Sequence, residues 1–209
     1  GVSRHFPLTN VTFHRILSMM DRQQEPKIKK LGVFTLAQGK AMGISQQDIS
    51  RLVAAKDLVR LGRGIYLHPN AHLDRDVGFQ IAYSKFGPAS AIGGLSALYH
   101  YNLAEQVPGE IWVLVPPGKR TRVKGYKLIR TKTRLDKEII GEKGYRIVTV
   151  ERAVLEALKF ITKIGERTAI KAARDSLAQR KTTETELARA AKELKLEAVL
   201  AKYLEVVTS

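Results

Sequence analysis

The sequence predicts an α+β fold in two parts, and three observations lead there. Residues 32–68 read as short helices followed by two apolar strands around a basic, glycine-containing turn. A mixed stretch follows, with the apolar strands "EIWVLVP" and "YRIVTV" set among helix-like segments. From residue 150 onward the apolar positions recur at helical spacing. Pro69 and Asn70 end the last strand of the first part, and Asp74 opens a helix-like pattern, so the boundary is placed there: a first domain over 1–70 and a second over 71–209.

Each element has a local reason. Val11, Phe13, Ile16, Leu17 and Met20 predict a leading helix over about 10–24, which Pro26 ends. Thr35 can cap a short helix reaching Met42, Gly43 supplies a turn, and Ser45 opens the next helix. The start of that helix is well specified: Asp48 stands where a capping carboxylate helps, and Ile44 and Ile49 have the spacing of a hydrophobic staple. The strands "LVRL" and "IYLH" come next. The order helix, helix, turn, helix, two strands is that of a winged helix-turn-helix.

In the second part, "DRDVGFQIAYSKF" and "GGLSALYHY" read as helices and "EIWVLVP" as a buried strand. "VKGYKLIRTK" reads as a hairpin or strand pair around Gly125. After "YRIVTV" come the helices "ERAVLEALKFIT", "ERTAIKAARDSLAQ" and "ETELARAAKELK", the last opened by Thr183 and Glu186 in a capping-box pattern. The prediction is therefore an N-terminal winged helix-turn-helix followed by a mixed α/β domain with a small sheet and a helical C-terminal part.

Composition narrows the partner. Of 209 residues, 36 are Lys or Arg and 20 Asp or Glu, a formal net charge of +16. Residues 1–70 hold 11 basic and 4 acidic residues, so the first part is proportionally the more basic. Such a balance favours polyanions through counterion release. A membrane is the weaker candidate, because no segment approaches the ~20 apolar residues needed to span one. The opening "GVSRHFPLTN" has no apolar run of the kind a secretory leader carries, and a cytoplasmic location is expected. With no cysteine, disulfide frameworks and thiolate zinc sites are excluded.

The helix opened by Ser45 has two faces. Ile49, Leu52 and Val53 share one, while Gln47, Ser50, Arg51 and Ala54 point the other way. Gln and Arg can make paired hydrogen bonds to adenine and guanine edges, and Ala54 and Ala55 permit close approach to a groove. Ser45, Gln46, Gln47, Ser50 and Arg51 are the predicted groove contacts. A solvated surface helix would show the same polar face. The sequel favours DNA: Arg60 and Arg63 flank Gly62 and Gly64 in a turn suited to the phosphate backbone.

With these residues on the page, "GVFTLAQGKAMGISQQDISRLVAAKDLVRLGRGIYLHP" resembles the winged-helix domain of the AbiEi-family antitoxins. "AIGGLSALYHYNLAEQVPGEIWVLVP" is similar to that family's second domain, and "GYRIVTVERAVLEAL" to its later strand-to-helix step. The resemblance implies a DNA-binding antitoxin that represses its own operon by binding double-stranded DNA at inverted repeats of its promoter, as a dimer. It also implies that residues 71–209 antagonise a co-encoded toxin resembling a nucleotidyltransferase. It implies no catalytic residue, cofactor or metal. The alternatives are a stand-alone transcriptional regulator and a winged-helix DNA nuclease.

Other stretches compete for attention. Lys119, Arg120, Arg122, Lys124, Lys127, Arg130, Lys132 and Arg134 run with no acid before Asp136. Alternation along "RVKGYKLIR" would put several on one side of a strand pair, a second nucleic-acid patch led by Lys119, Arg120, Arg122 and Lys124. Tyr126 beside them is either a base-stacking ring or a packing residue. His68, His72, Asp74 and Asp76 invite a metal reading, but Pro69 breaks the helix on which the histidines would converge. Ser96 in "GGLSALYH" lacks the glycine that follows an elbow nucleophile. The Glu-x-Lys pairs, Glu25 with Lys27 and Glu193 with Lys195, fall in a proline-containing link and a helix rather than on the strands a nuclease would need.

Overall fold

The computed structural model describes residues 28–29, 32–70, 76–142 and 144–208. The chain divides into two compact units, Gly1–Arg75 and Asp76–Ser209. The leading helix predicted over 10–24, the Glu25 to Lys27 pair, and His72 and Asp74 lie outside the described residues.

In the first unit, strand β1 (Val33–Thr35) leads into helix α1 (Leu36–Ala41), followed by α2 (Gln46–Ala54), β2 (Val59–Gly62) and β3 (Ile65–Leu67). The sheet runs β1-β3-β2 with both pairings antiparallel. This is a winged helix-turn-helix, with β2 and β3 as the wing. Thr35 caps α1 in a full capping box: its Oγ1 accepts from the Gln38 amide at 3.2 Å, and Gln38 Oε1 accepts from the Thr35 amide at 2.7 Å. Gly43, at φ +82°, makes the turn that L-residues resist. The staple pair Ile44 and Ile49 joins Ile28, Phe34, Leu52, Leu58 and Tyr66 in one small core. Helices α1 and α2 meet at Gly39, where a Cβ would stand 2.8 Å from Ile49 Cδ1. The wing turn is tied down at its base, because the Leu36 amide donates to Gly64 O at 2.9 Å.

The second unit holds a five-stranded mixed sheet in the order β6-β5-β4-β8-β7. Its strands are β4 (Ala91–Ile92), β5 (Ile111–Val115), β6 (Tyr126–Arg130), β7 (Ile139–Glu142) and β8 (Tyr145–Val148). Helix α3 (Val77–Phe86) packs on β4, β5 and β8, and α4 (Gly94–His100) packs on β5. Thr149 caps α5 (Val150–Lys159), in which every residue from Arg152 to Leu158 is buried. It is the hub: α4, α7 (Glu166–Ala178), α8 (Glu184–Leu194) and α9 (Glu197–Thr208) all pack against it, with the short α6 (Ile161–Ile164) between α5 and α7. Thr183 and Glu186 form the predicted capping box of α8.

One expectation is corrected here. "VKGYKLIRTK" is not a strand pair: only Tyr126–Arg130 is a strand, running parallel to β5 with Ile111 opposite Tyr126. Residues 116–125 form the connection instead, opened by Pro116, Pro117 and Gly118 and closed by Gly125 at φ +87°. Pro116 and Pro117 lack the N–H a ladder needs.

Candidate nucleic-acid interface

Helix α2 is fixed in place from below and left open above. Ile49 and Leu52 are buried, whereas Gln46, Gln47, Ser50 and Arg51 are exposed and together line one shallow, open depression. Ser50 Oγ donates to the Gln46 carbonyl at 2.9 Å, which leaves its lone pairs outward. Arg51, with 61% of its side chain exposed, has Nη1 at 3.4 Å from Asp48 Oδ1. Ser45 is spent on the helix start: its Oγ accepts from the Asp48 amide at 3.1 Å and donates to Asp48 Oδ2 at 2.5 Å. Its hydroxyl is therefore a cap first.

The wing departs from expectation in one respect. Arg63 sits in the turn, exposed, beside Gly64 at φ +71°. Arg60 does not: it lies within β2 opposite Tyr66, with Nε donating to Gly62 O at 3.3 Å. The ladder continues past Arg60 to a Gly62–Ile65 pair because the register shifts between Arg60 and Gly62, shortening the turn to Arg63 and Gly64. Two exposed lysines stand near the ends of α1 and α2. Lys40 lies in the last turn of α1, and Lys56 adopts φ +64° just beyond α2. Their signal was position, at the last turn of one helix and just past the end of the other, rather than any motif.

In the second unit Lys119, Arg120, Arg122 and Lys124 are exposed on the connection between β5 and β6, and none has an ion-pair partner among the described residues. The connection is braced by Arg130, whose Nε donates to Lys119 O at 2.9 Å. Lys127 is held elsewhere, its Nζ 4.0 Å from the centre of the Trp112 ring, and Arg134 is paired with Asp136 at 2.5 Å. The eight-residue basic run is thus four free cations plus Lys132, with three members engaged in packing or pairing. Tyr126 is a packing residue: its ring meets Phe86 edge-on at 5.2 Å, and burial raises its phenol pKa above the ordinary value.

The competing sites resolve into structure. Ser96 is buried, and its Oγ accepts from the Trp112 amide at 2.9 Å. Asp76 accepts from Tyr145 Oη at 2.9 Å and faces His100 Nδ1 at 3.5 Å. Glu193 pairs with Lys137 at 2.8 Å on the outside of α8. No group of three or more potential metal ligands occurs among the described residues.

Residues 27–69 match the family model described as transcriptional regulator, AbiEi antitoxin. The first unit is AbiEi-like. The match takes in β1 to β3 with both helices between them, and ends before the second unit begins. The fold of the whole chain has a likeness among solved structures. The crystal structure of the RV2827C protein from Mycobacterium tuberculosis is similar, with a TM-score of 0.55 at 14% identity, covering 100% of this chain and 83% of that one. No curated protein matches the chain. No helix among the described residues is long and apolar enough to cross a membrane.

Proposed function

We propose that the protein is a sequence-specific DNA-binding antitoxin that represses its own operon and opposes a co-encoded nucleotidyltransferase-like toxin. The observation that carries the DNA-binding half is the exposed face of α2, with Gln46, Gln47, Ser50 and Arg51 lining one open depression on a helix capped by Ser45. In this reading α2 enters the major groove, where Gln47 and Arg51 meet base edges. Arg63 at the wing tip and Arg60 on its strand neutralise phosphates beside the groove. Lys119, Arg120, Arg122 and Lys124 supply a second set of phosphate contacts. Two copies on an inverted repeat would match the symmetry of the site. The antitoxin half rests on the family likeness of residues 27–69 and assigns no catalytic step.

The test is a binding titration of the duplex upstream of this protein's gene against a shuffled duplex, at two salt concentrations. Arg51→Ala is expected to lower discrimination by about 1–3 kcal/mol at one or two base pairs. Arg63→Ala is expected to weaken all duplexes alike and to reduce the salt slope by about 1. Equal, sequence-independent losses from both changes would refute α2 as the reading helix. Replacing Lys119, Arg120, Arg122 and Lys124 together with alanine should flatten the slope further, by roughly 3 to 4 if all four meet phosphate. An unchanged slope would remove the second unit from the interface. Rescue of growth on co-expression with the neighbouring toxin gene checks the antitoxin half, and rescue must survive Arg51→Ala if antagonism is separate from DNA reading.

A further inference from the structure

Asp48 is anomalous on a surface meant for a polyanion. Its carboxylate lies within the first turn of α2, 45% exposed, beside the residues that line the open depression. A helix cap does not require it. In α5, Thr149 caps the chain with Arg152 at the third helical position, so a hydroxyl alone suffices. In α1 and α8, where Gln38 and Glu186 hold that position, the side chain reaches back to the backbone amide of the capping residue and closes the box. Asp48 does otherwise: Oδ2 accepts from Ser45 Oγ at 2.5 Å, and Oδ1 faces Arg51 Nη1 at 3.4 Å. One oxygen is fixed by the helix start and the other is aimed at the guanidinium.

We propose that Asp48 is a specificity-determining residue that, anchored by Ser45, holds Arg51 in register for a G·C base pair and away from the phosphate backbone. This rests on the reading of α2 as the recognition helix. The chemistry is complementary: a guanidinium donates to guanine O6 and N7, and a carboxylate accepts from the N4 amino group of cytosine, so the Asp48–Arg51 pair presents the donor and acceptor pattern that the major-groove edge of G·C requires. A carboxylate also repels phosphates, which penalises non-specific docking. The pair is too exposed to matter much to folding. The effect to look for is therefore on recognition.

Wild type, Asp48→Asn, Arg51→Ala and the double variant would be titrated with a duplex selected by the protein from a randomised pool. The same variants would be titrated with single-pair substitutions of that duplex and with a shuffled duplex, at two salt concentrations. Asp48→Asn is expected to bind the shuffled duplex about 3- to 10-fold more tightly at low salt, because a like charge is gone. It is also expected to lose discrimination at the same base pair as Arg51→Ala, and the double variant should discriminate no worse than Arg51→Ala alone. Asp48→Ser, with a matching thermal melt, guards against a folding defect as the source of any change. If Arg51→Ala erodes discrimination while both Asp48 variants retain it, the role of Asp48 is overturned and the recognition helix stands. If Arg51→Ala itself leaves discrimination intact at every pair, the recognition helix falls and Asp48 with it.

Discussion

Glu156→Ala is expected to destabilise the second unit by about 3–5 kcal/mol, the usual cost of stranding a buried charge. Arg152 and Glu156 lie one turn apart on α5 with 0% and 1% of their side chains exposed, in the helix around which the unit is packed. Arg152 Nε donates to Glu156 Oε1 at 2.9 Å, and its Nη1 donates to the carbonyls of Arg134 and Lys137, both at 2.6 Å. Burial pushes the Glu156 carboxyl above the ordinary carboxylate range, against the pull of the Arg152 charge. Remove the carboxylate, and the guanidinium keeps its carbonyl partners but loses its counter-charge. Remove both, as in Arg152→Met with Glu156→Leu, and the expected change is small, since an ion pair in the core contributes little beyond a well-packed apolar substitute. Chemical denaturation of the single and double variants checks this. A loss below about 1 kcal/mol in Glu156→Ala would show that the pair is not needed to offset the buried charge.

The second large effect is steric. Gly94→Ala is expected to cost about 3 kcal/mol or more, combining left-handed strain with overpacking. Gly94 opens α4 at φ +52°, and a Cβ there would stand 2.5 Å from Trp112 Cε3 and 2.8 Å from Ile129 Cδ1. Both neighbours are buried, and the rigid Trp112 ring is the closer of the two. Gly118→Ala is the control, because its added carbon meets nothing within 4 Å. Thermal melts of the two variants should separate by several degrees. Coincident melts would mean that the β4–α4 junction relaxes more freely than its packing suggests.

What could be seen in the sequence follows the strength of local signals. The capped helices were legible, because Thr35, Ser45 and Thr183 each stand before a periodic apolar run and each is found accepting a backbone N–H. The wing strands were legible for a similar reason, the glycines marking the turn. β1, β4 and β7 were not. β1 and β4 have three and two residues, too few for a period, and β7 carries Ile140, Gly141 and Glu142 exposed, with no apolar alternation. β6 was seen but mispaired, because a strand beside a glycine suggests a hairpin, whereas parallel neighbours normally need a longer crossover than residues 116–125. At the candidate interface, helical geometry was enough to foresee which α2 side chains are exposed. The displacement of Arg60 from the turn was hidden, because a register shift leaves no residue signature. The buried Arg152–Glu156 pair was also hidden, since in one dimension it looks like any surface pair one turn apart.

Among the described residues, strand β6 is an edge of the five-stranded sheet, bonded to β5 on one side. An open edge is a template for any other extended chain, including a second copy still folding. Here the strand carries Lys127 and the exposed Arg130, with exposed Lys132 just beyond its end and four more cations on the connection leading into it. Two such edges cannot approach without bringing like charges together, so the edge that could seed aggregation is guarded by its own side chains. The positive charge therefore helps keep the protein in solution whatever else it attracts. The guard is electrostatic and weakens as ionic strength rises, so added salt exposes this edge to itself.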